Sequence, residues 1–136
     1  MRKFVLHDSF WELYDQLTPQ TQAKVDMILN ILETQRQPSE KHVKHLVDSG
    51  GIYEIRVQDS TRLYRFLFFF VDGGNMLTGK QFLVCEGFIK KDNKDYKKPI
   101  QRVQAIKDTY NDSNTVNTNN GDIKEVSNDK DQEEPP

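Results

Sequence analysis

The start of the chain alternates between apolar and polar positions in a way that predicts a strand followed by a helix. Residues 2–7 (RKFVLH) indicate a short strand that ends at the polar residues Asp8 and Ser9. Ser9 and Glu12 then have the spacing of a capping box at the start of a helix. The following apolar side chains recur at i, i+3, i+4 and i+7, the pattern of an amphipathic helix: Phe10, Leu13, Tyr14 and Leu17.

A second helix begins soon after the first. Thr18 is placed to cap it, and Pro19 occupies the first helical position, where its missing N–H costs nothing. The apolar stripe runs through Val25, Ile28, Leu29 and Leu32, and Pro38 ends the pattern. Because two helices follow one strand directly, we expect an antiparallel helical hairpin that packs on a sheet.

From residue 51 the apolar positions recur every second residue, which is typical of strands. Three strands are predicted, at 52–58, 62–71 and 81–89, with the polar segments QDST and DGGN as turns. Residues 99–110 are helical in pattern again. The predicted fold is α+β in the order β-αα-βββ-α: an antiparallel sheet of about four strands, an N-terminal helical hairpin and a C-terminal helix.

The register of the 52–58 and 62–71 strands places two arginines side by side. A two-residue turn at Ser60 and Thr61 sets apolar residues opposite apolar residues, and a slip by one residue would invert a whole face. On the other face, the same register sets Arg56 directly opposite Arg65. Two like charges so placed are unfavourable, so either Glu54 neutralises them in a solvated charge cluster or they form an anion site.

The charge is distributed unevenly along the 136 residues, whose net charge is −2. Residues 1–110 carry a net charge of +3, while residues 111–136 carry −5 and have few apolar side chains. We therefore expect a mildly basic folded domain at 1–110 and a disordered acidic tail at 111–136.

A lysine-rich segment, GFIKKDNKDYKK, follows the last predicted strand and surrounds Tyr96. Lysines interleaved with an aromatic residue favour nucleic-acid binding through phosphate contacts and base stacking, although a solvated loop has the same composition. The basic residues of this segment are Lys90, Lys91, Lys94, Lys97 and Lys98.

Other classes of site have little support in the sequence. Cys85 is the single cysteine and lies in an apolar run, so we expect a core residue and no disulfide. His42 and His45 have no evident third ligand, so we expect neither a metal site nor a cofactor. No apolar run approaches the length of a membrane span, and the first residues do not resemble a signal peptide. We expect a cytoplasmic protein.

The segments GIYEIRV, LYRFLFFF and GFIKK together resemble the RelE/HigB-type toxins of type II toxin–antitoxin systems, in particular the phage-derived branch of the RelE/ParE superfamily. The resemblance covers about residues 1–110 and implies a RelE-like fold. It implies a ribosome-dependent mRNA endonuclease that needs no metal, with a cognate antitoxin, expected to be a helix-turn-helix protein, as its partner. The oligomeric state is left open.

The resemblance also assigns roles to individual residues. It implies that Arg65 contacts the scissile phosphate, with Arg56, Lys90 and Tyr96 as further catalytic residues. Glu54 stands where the best-known members have lysine, so the proton-transfer scheme is left open: Tyr96 or Glu54 would accept the proton and Lys90 would donate one. The segment's other lysines are assigned to RNA binding: Lys91, Lys94, Lys97 and Lys98.

Two other functions are compatible with the same sequence. A ParE-like toxin would poison gyrase, and a non-catalytic member would bind only the antitoxin or a nucleic acid. Under the nuclease hypothesis, Arg65→Ala should abolish cleavage while changing stability by less than about 1 kcal/mol, because the register predicts that Arg65 lies away from the core.

Overall fold

The structure is a computed structural model, and it describes residues 1–120. Within this range the contacts define one unit, Met1–Gln104, and a second unit that begins at Ala105. The rest of the predicted tail, 121–136, lies outside the described residues. The elements in chain order are β1 (Lys3–Leu6), α1 (Phe10–Tyr14), α2 (Pro19–Thr34), β2 (Val43–His45), β3 (Tyr53–Gln58), β4 (Leu63–Phe70), β5 (Gln81–Lys90), a 3-10 turn (Asn93–Tyr96) and α3 (Lys97–Asn120).

The described residues form a mixed α+β fold around a five-stranded sheet in the order β1-β5-β4-β3-β2. The predicted sheet of about four antiparallel strands differs from it in two details. First, β1 pairs with β5 in parallel, and periodicity within one strand does not determine its partner or direction. Second, β2 forms the edge beside β3; with only three residues, it is too short to show a period of two.

The predicted register of the β3–β4 hairpin is confirmed. Tyr53 pairs with Phe68, Ile55 with Phe66, and Arg56 with Arg65. The Asp59 amide donates to the Arg62 carbonyl at 3.1 Å, so the turn contains two residues, as expected.

The helices α1 and α2 pack on one face of the sheet and enclose the main core. Thr18 caps α2 as predicted, since its hydroxyl oxygen accepts from the Thr21 amide at 3.2 Å. The predicted capping box at Ser9 is wrong, because the Ser9 side chain makes no cap bond. Instead, the Ser9 hydroxyl lies 2.8 Å from Nδ1 of His7.

The opposite face of the sheet is also covered, which the alternating sequence pattern did not predict. Leu67, Phe69 and Cys85 are fully buried on it. The 3-10 turn packs on this face through Tyr96, whose ring lies edge-on to Phe88 at a centroid distance of 5.1 Å. Polar side chains on this face are therefore shielded from water wherever the turn lies over them.

The C-terminal helix is longer than predicted. It begins at Lys97 and continues to Asn120, whereas the sequence indicated 99–110 and a tail from 111. Within the first unit, Val103 is buried, and Nε2 of the Gln104 side chain donates to the Ser49 carbonyl at 2.8 Å. These contacts attach the start of α3 to the segment that precedes β3.

Candidate functional site

The two opposed arginines share one carboxylate. Oε1 of Glu54 lies 3.2 Å from Nε of Arg65, and Oε2 lies 3.6 Å from Nε of Arg56. All three side chains project from the same face of the β3–β4 hairpin. The carboxylate offsets the repulsion between two like charges that the register would otherwise impose.

The two arginines differ sharply in exposure. The side chain of Arg56 is 32% exposed, whereas that of Arg65 is 5% exposed and that of Glu54 is 2% exposed. Arg65 lies on the face away from the main core, as the register predicts, but the prediction of a solvated charge cluster on that face is wrong. The physical reason is the cover on this face, which makes Arg65 and Glu54 a buried ion pair.

Tyr96 completes the buried group. Its hydroxyl donates to Oε1 of Glu54 at 2.6 Å and accepts from Nε of Arg65 at 3.1 Å. Nη1 of Arg65 also donates to the Tyr64 carbonyl at 3.1 Å. Burial, followed by the hydrogen bond to Glu54, raises the pKa of Tyr96 above its usual value of 10.0. The phenol is therefore protonated at neutral pH and acts as a hydrogen-bond donor, not as a base.

A capping box fixes the position of the turn that carries Tyr96. The Asp92 carboxylate accepts from the Lys94 amide at 2.9 Å, and the Asp95 carboxylate accepts from the Asp92 amide at 3.0 Å. The hydrogen bonds that the backbone amides of Asp92 and Lys91 donate to the Asp95 carboxylate lower the pKa of Asp95. Both carboxylates are thus used in shaping the turn.

A groove of about 490 Å³ lies beside the arginine pair, at the edge of β3 beyond the end of β2. Four of the side chains that line this groove are cationic. None of the described lining residues carries a carboxylate. The Nη1 atom of Arg56 donates to the Glu40 carbonyl at 3.1 Å, which orients the guanidinium at the groove. The lining residues are Lys24, Met27, Ile28, Lys41, His42, Arg56, Val57, Gln58 and Arg65.

Sequence reasoning missed three members of this groove: Lys24, Lys41 and His42. They come from α2 and from the segment before β2, and no local pattern links either segment to the arginine pair. Nζ of Lys24 bonds the Gln58 carbonyl at 2.8 Å, which joins α2 to the end of β3. One sequence signal could have placed Lys24 near the sheet: it lies on α2 four residues before the core residue Ile28, on the same side of the helix.

The lysine-rich segment lies on the surface around the turn, and the groove lining includes none of its lysines. Lys90 is half-buried at the end of β5, where it pairs with Leu63, two residues from Arg65 along β4. Nζ of Lys94 lies 3.9 Å from the Asp92 carboxylate, an exposed and weak ion pair. The remaining lysines of the segment are exposed: Lys91, Lys97 and Lys98.

The histidine pair does not form a common site. His45 belongs to β2 and lies against Tyr53 at a ring-centroid distance of 4.9 Å, whereas His42 lines the groove. Among residues 1–111, whose side chains are described, no three His, Cys, Asp or Glu residues are grouped to hold a metal ion. Burial raises the pKa of the Cys85 thiol to about 12, as expected for a core cysteine. None of the described helices is long and apolar enough to cross a membrane.

Residues 12–108 match the model of the family described as phage derived protein Gp49-like (DUF891), which is a toxin-like family of toxin–antitoxin systems. The chain belongs to the Gp49-like family. The matched range of this Gp49-like protein includes the arginine pair, Glu54, Tyr96 and the groove. Neither the curated proteins nor the solved structures include a significant match.

Proposed function

We propose that this Gp49-like protein is the toxin of a type II toxin–antitoxin pair and acts as a ribosome-dependent mRNA endonuclease. This activity is the one that the RelE/HigB resemblance implies. The observation that carries the proposal is the cationic groove, because it presents Arg56 and Arg65 together at an opening on the protein surface. An RNA backbone is a polyanion, and phosphate is the ligand that paired guanidinium groups bind best.

The cleavage reaction requires three events at one phosphate. The neighbouring 2′-hydroxyl loses its proton, its oxygen attacks phosphorus, and the P–O5′ bond breaks as the 5′-oxygen gains a proton. The products are a 2′,3′-cyclic phosphate and a 5′-hydroxyl. Arg56 suits the stabilisation of the charge that develops on the phosphoryl oxygens, because it is permanently charged and a third of its side chain is exposed.

The buried residues have a supporting role in this reaction. Glu54 and Tyr96 satisfy Nε of Arg65 and fix the plane of its guanidinium. A guanidinium has three nitrogens, and the contacts described above engage two of them. Arg65 therefore reaches the groove as an oriented donor, while Tyr96, with its raised pKa, holds its proton. Lys90 is the proposed proton donor to the 5′-oxygen.

The proposed partners follow from the same charges. An antitoxin that neutralises this toxin should cover the groove with acidic side chains, or displace the start of α3 and so uncover the buried pair. Action on ribosome-bound mRNA would take place in the cytoplasm. The exposed lysines around the 3-10 turn would add contacts to RNA phosphates that depend on salt concentration.

The test compares arginines on the same hairpin. Arg56→Ala should reduce mRNA cleavage on programmed ribosomes by about 10²- to 10³-fold, the usual cost of losing one donor to a developing oxyanion. Arg62→Ala, at the exposed hairpin turn, is the matched control and should cleave normally. Equal activity of the Arg56→Ala variant and the wild type would refute the proposed site, and gyrase inhibition without mRNA cleavage would favour a ParE-like toxin.

A non-catalytic RNA-binding role is a second candidate, favoured by the buried contact between Glu54 and Arg65. In that case the carboxylate neutralises Arg65 for structural purposes, and the cations that the described groove lining still offers to RNA are Arg56, Lys24 and Lys41. Binding without strand cleavage, measured with the same ribosomes and mRNA, would distinguish this role from the endonuclease.

A further inference from the structure

A third functional side chain belongs to the row that contains the two arginines. The ladder between β2 and β3 pairs Val43 with Ile55, and both residues are buried in the main core. One more bond follows the end of the ladder, because the Arg56 amide donates to the His42 carbonyl at 2.8 Å, while the His42 amide donates to the Ser39 carbonyl at 2.9 Å in the turn before β2. His42 is therefore opposite Arg56, on the face away from the core.

Side chains of directly opposed strand residues lie about 5 Å apart on one face of a sheet. The row thus runs from His42, the residue before β2, through Arg56 on β3 to Arg65 on β4, and all three residues line the same groove. We propose that His42 is the general base that takes the 2′-hydroxyl proton of an RNA strand bound in this groove. The inference rests on the proposed nuclease function and deepens it.

The other candidates for this step are occupied. The Tyr96 hydroxyl donates a hydrogen bond to Glu54, and Glu54 is almost fully buried between two arginines and that phenol. Arginine cannot act as a base near pH 7. Among side chains that line the groove, the imidazole is the one that ordinarily exchanges a proton near neutral pH.

The proton balance is complete without an outside reagent. His42 takes the proton from the 2′-oxygen as that oxygen bonds to phosphorus, and Lys90 gives a proton to the 5′-oxygen as the P–O5′ bond breaks. Water then returns the proton from His42 to Lys90. The net change is the transfer of one proton from the 2′-oxygen to the 5′-oxygen.

The charged groups around His42 come from each neighbouring element. Lys24 reaches the groove from α2, Lys41 precedes His42 in the chain, and Arg56 and Arg65 lie beside it on β3 and β4. The next row of the same face pairs Lys44 with Glu54. A pH dependence of cleavage is assigned to His42 only where the His42→Gln variant changes it.

The experiment compares the wild type, His42→Gln and His45→Gln at the cleavage site that the wild type defines on ribosome-bound mRNA. His45 is three residues away, on the opposite face against Tyr53, and is the matched control. The His42→Gln variant should cleave about 10²- to 10⁴-fold more slowly, and its rate should depend less on pH between 6 and 8 than the rate of the wild type. Binding to the same mRNA with a 2′-deoxy nucleotide at the cleavage site should be unchanged.

A second variant protects the test against misfolding. Cleavage by His42→Ala should recover in part when free imidazole is added, which a purely structural role of His42 does not explain. Four results would each overturn this inference and leave the nuclease proposal standing. They are a normal cleavage rate in His42→Gln, an unchanged pH profile, a loss of RNA binding as large as the loss of rate, and no recovery of His42→Ala with imidazole. No cleavage by the wild type would overturn both.

Discussion

Removing Arg65 should destabilise the protein far more than an ordinary surface substitution does. In Arg65→Ala, the Glu54 carboxylate keeps its position at 2% exposure and loses the cation 3.2 Å away. The Tyr96 hydroxyl, at 2.6 Å, remains as a donor but brings no charge, and the remaining cation is Arg56, which is 3.6 Å away and 32% exposed and therefore compensates the buried carboxylate poorly. Removing one member of a buried ion pair typically costs about 3–5 kcal/mol, which is a large part of the 5–15 kcal/mol that holds a typical domain folded.

The measurement is urea unfolding followed by circular dichroism, together with a thermal scan. The loss should appear as a fall in melting temperature on the order of 10–20 °C. Arg56→Ala is the matched control: its side chain is 32% exposed and lies 3.6 Å from the same carboxylate, so it should cost less than about 1 kcal/mol. The two variants share residue type, hairpin and ionic partner, and differ in burial.

The double variant Glu54→Leu/Arg65→Met separates charge from packing. It removes both ionic groups and fills much of the same volume, so most of the stability should return. A loss below 1 kcal/mol in Arg65→Ala would refute the reasoning, because it would mean that water reaches Glu54. A double variant as unstable as Arg65→Ala would show that lost packing, not an unpaired charge, is responsible.

Two predictions concern pH. The hydrogen bond from the Thr61 amide, with those from the Tyr64 hydroxyl and the Arg62 amide, lowers the pKa of Asp59 from 3.8 to about 2. The stability that the ionised Asp59 adds is therefore present above pH 4 and lost as pH falls to 2. In Asp59→Asn, stability should fall less steeply with pH in that range. Burial, followed by the hydrogen bond to Asp26, raises the pKa of Tyr14 from 10.0 to about 12. The stability that the protonated phenol adds is then lost as pH rises from 10 to 12, and urea unfolding should show a smaller loss over this range in Tyr14→Phe. If stability depends on pH as steeply in Asp59→Asn or Tyr14→Phe as in the wild type, the shifted pKa of that residue is contradicted.

The hairpin register could be predicted from sequence because its inner face is strictly apolar. Shifting Ile55 away from Phe66 would have turned a whole row of aromatic side chains outward, so one alignment was strongly favoured. That register was enough to place Arg56 beside Arg65. The catalytic and RNA-binding roles of the basic residues and Tyr96 rest on the family resemblance.

Burial on the outer face could not be predicted in the same way. Arg65 and Glu54 alternate with apolar residues, the pattern of a solvated face, and only the path of the chain after β5 brings Tyr96 over them. The groove depends equally on long-range packing, since Lys24 and His42 are far from Arg65 in sequence. For that reason the sequence pattern indicates His42 only as a possible metal ligand and does not predict that it is a neighbour of the arginines.

The central claim is that this Gp49-like protein cuts RNA by attack of the 2′-hydroxyl, and the ends of the products test it most directly. Purified protein should be incubated with programmed ribosomes, and the fragments analysed for their terminal groups. The account predicts a 2′,3′-cyclic phosphate on one side of each cut and a 5′-hydroxyl on the other. Intact mRNA, or fragments that carry 5′-phosphates, would contradict it.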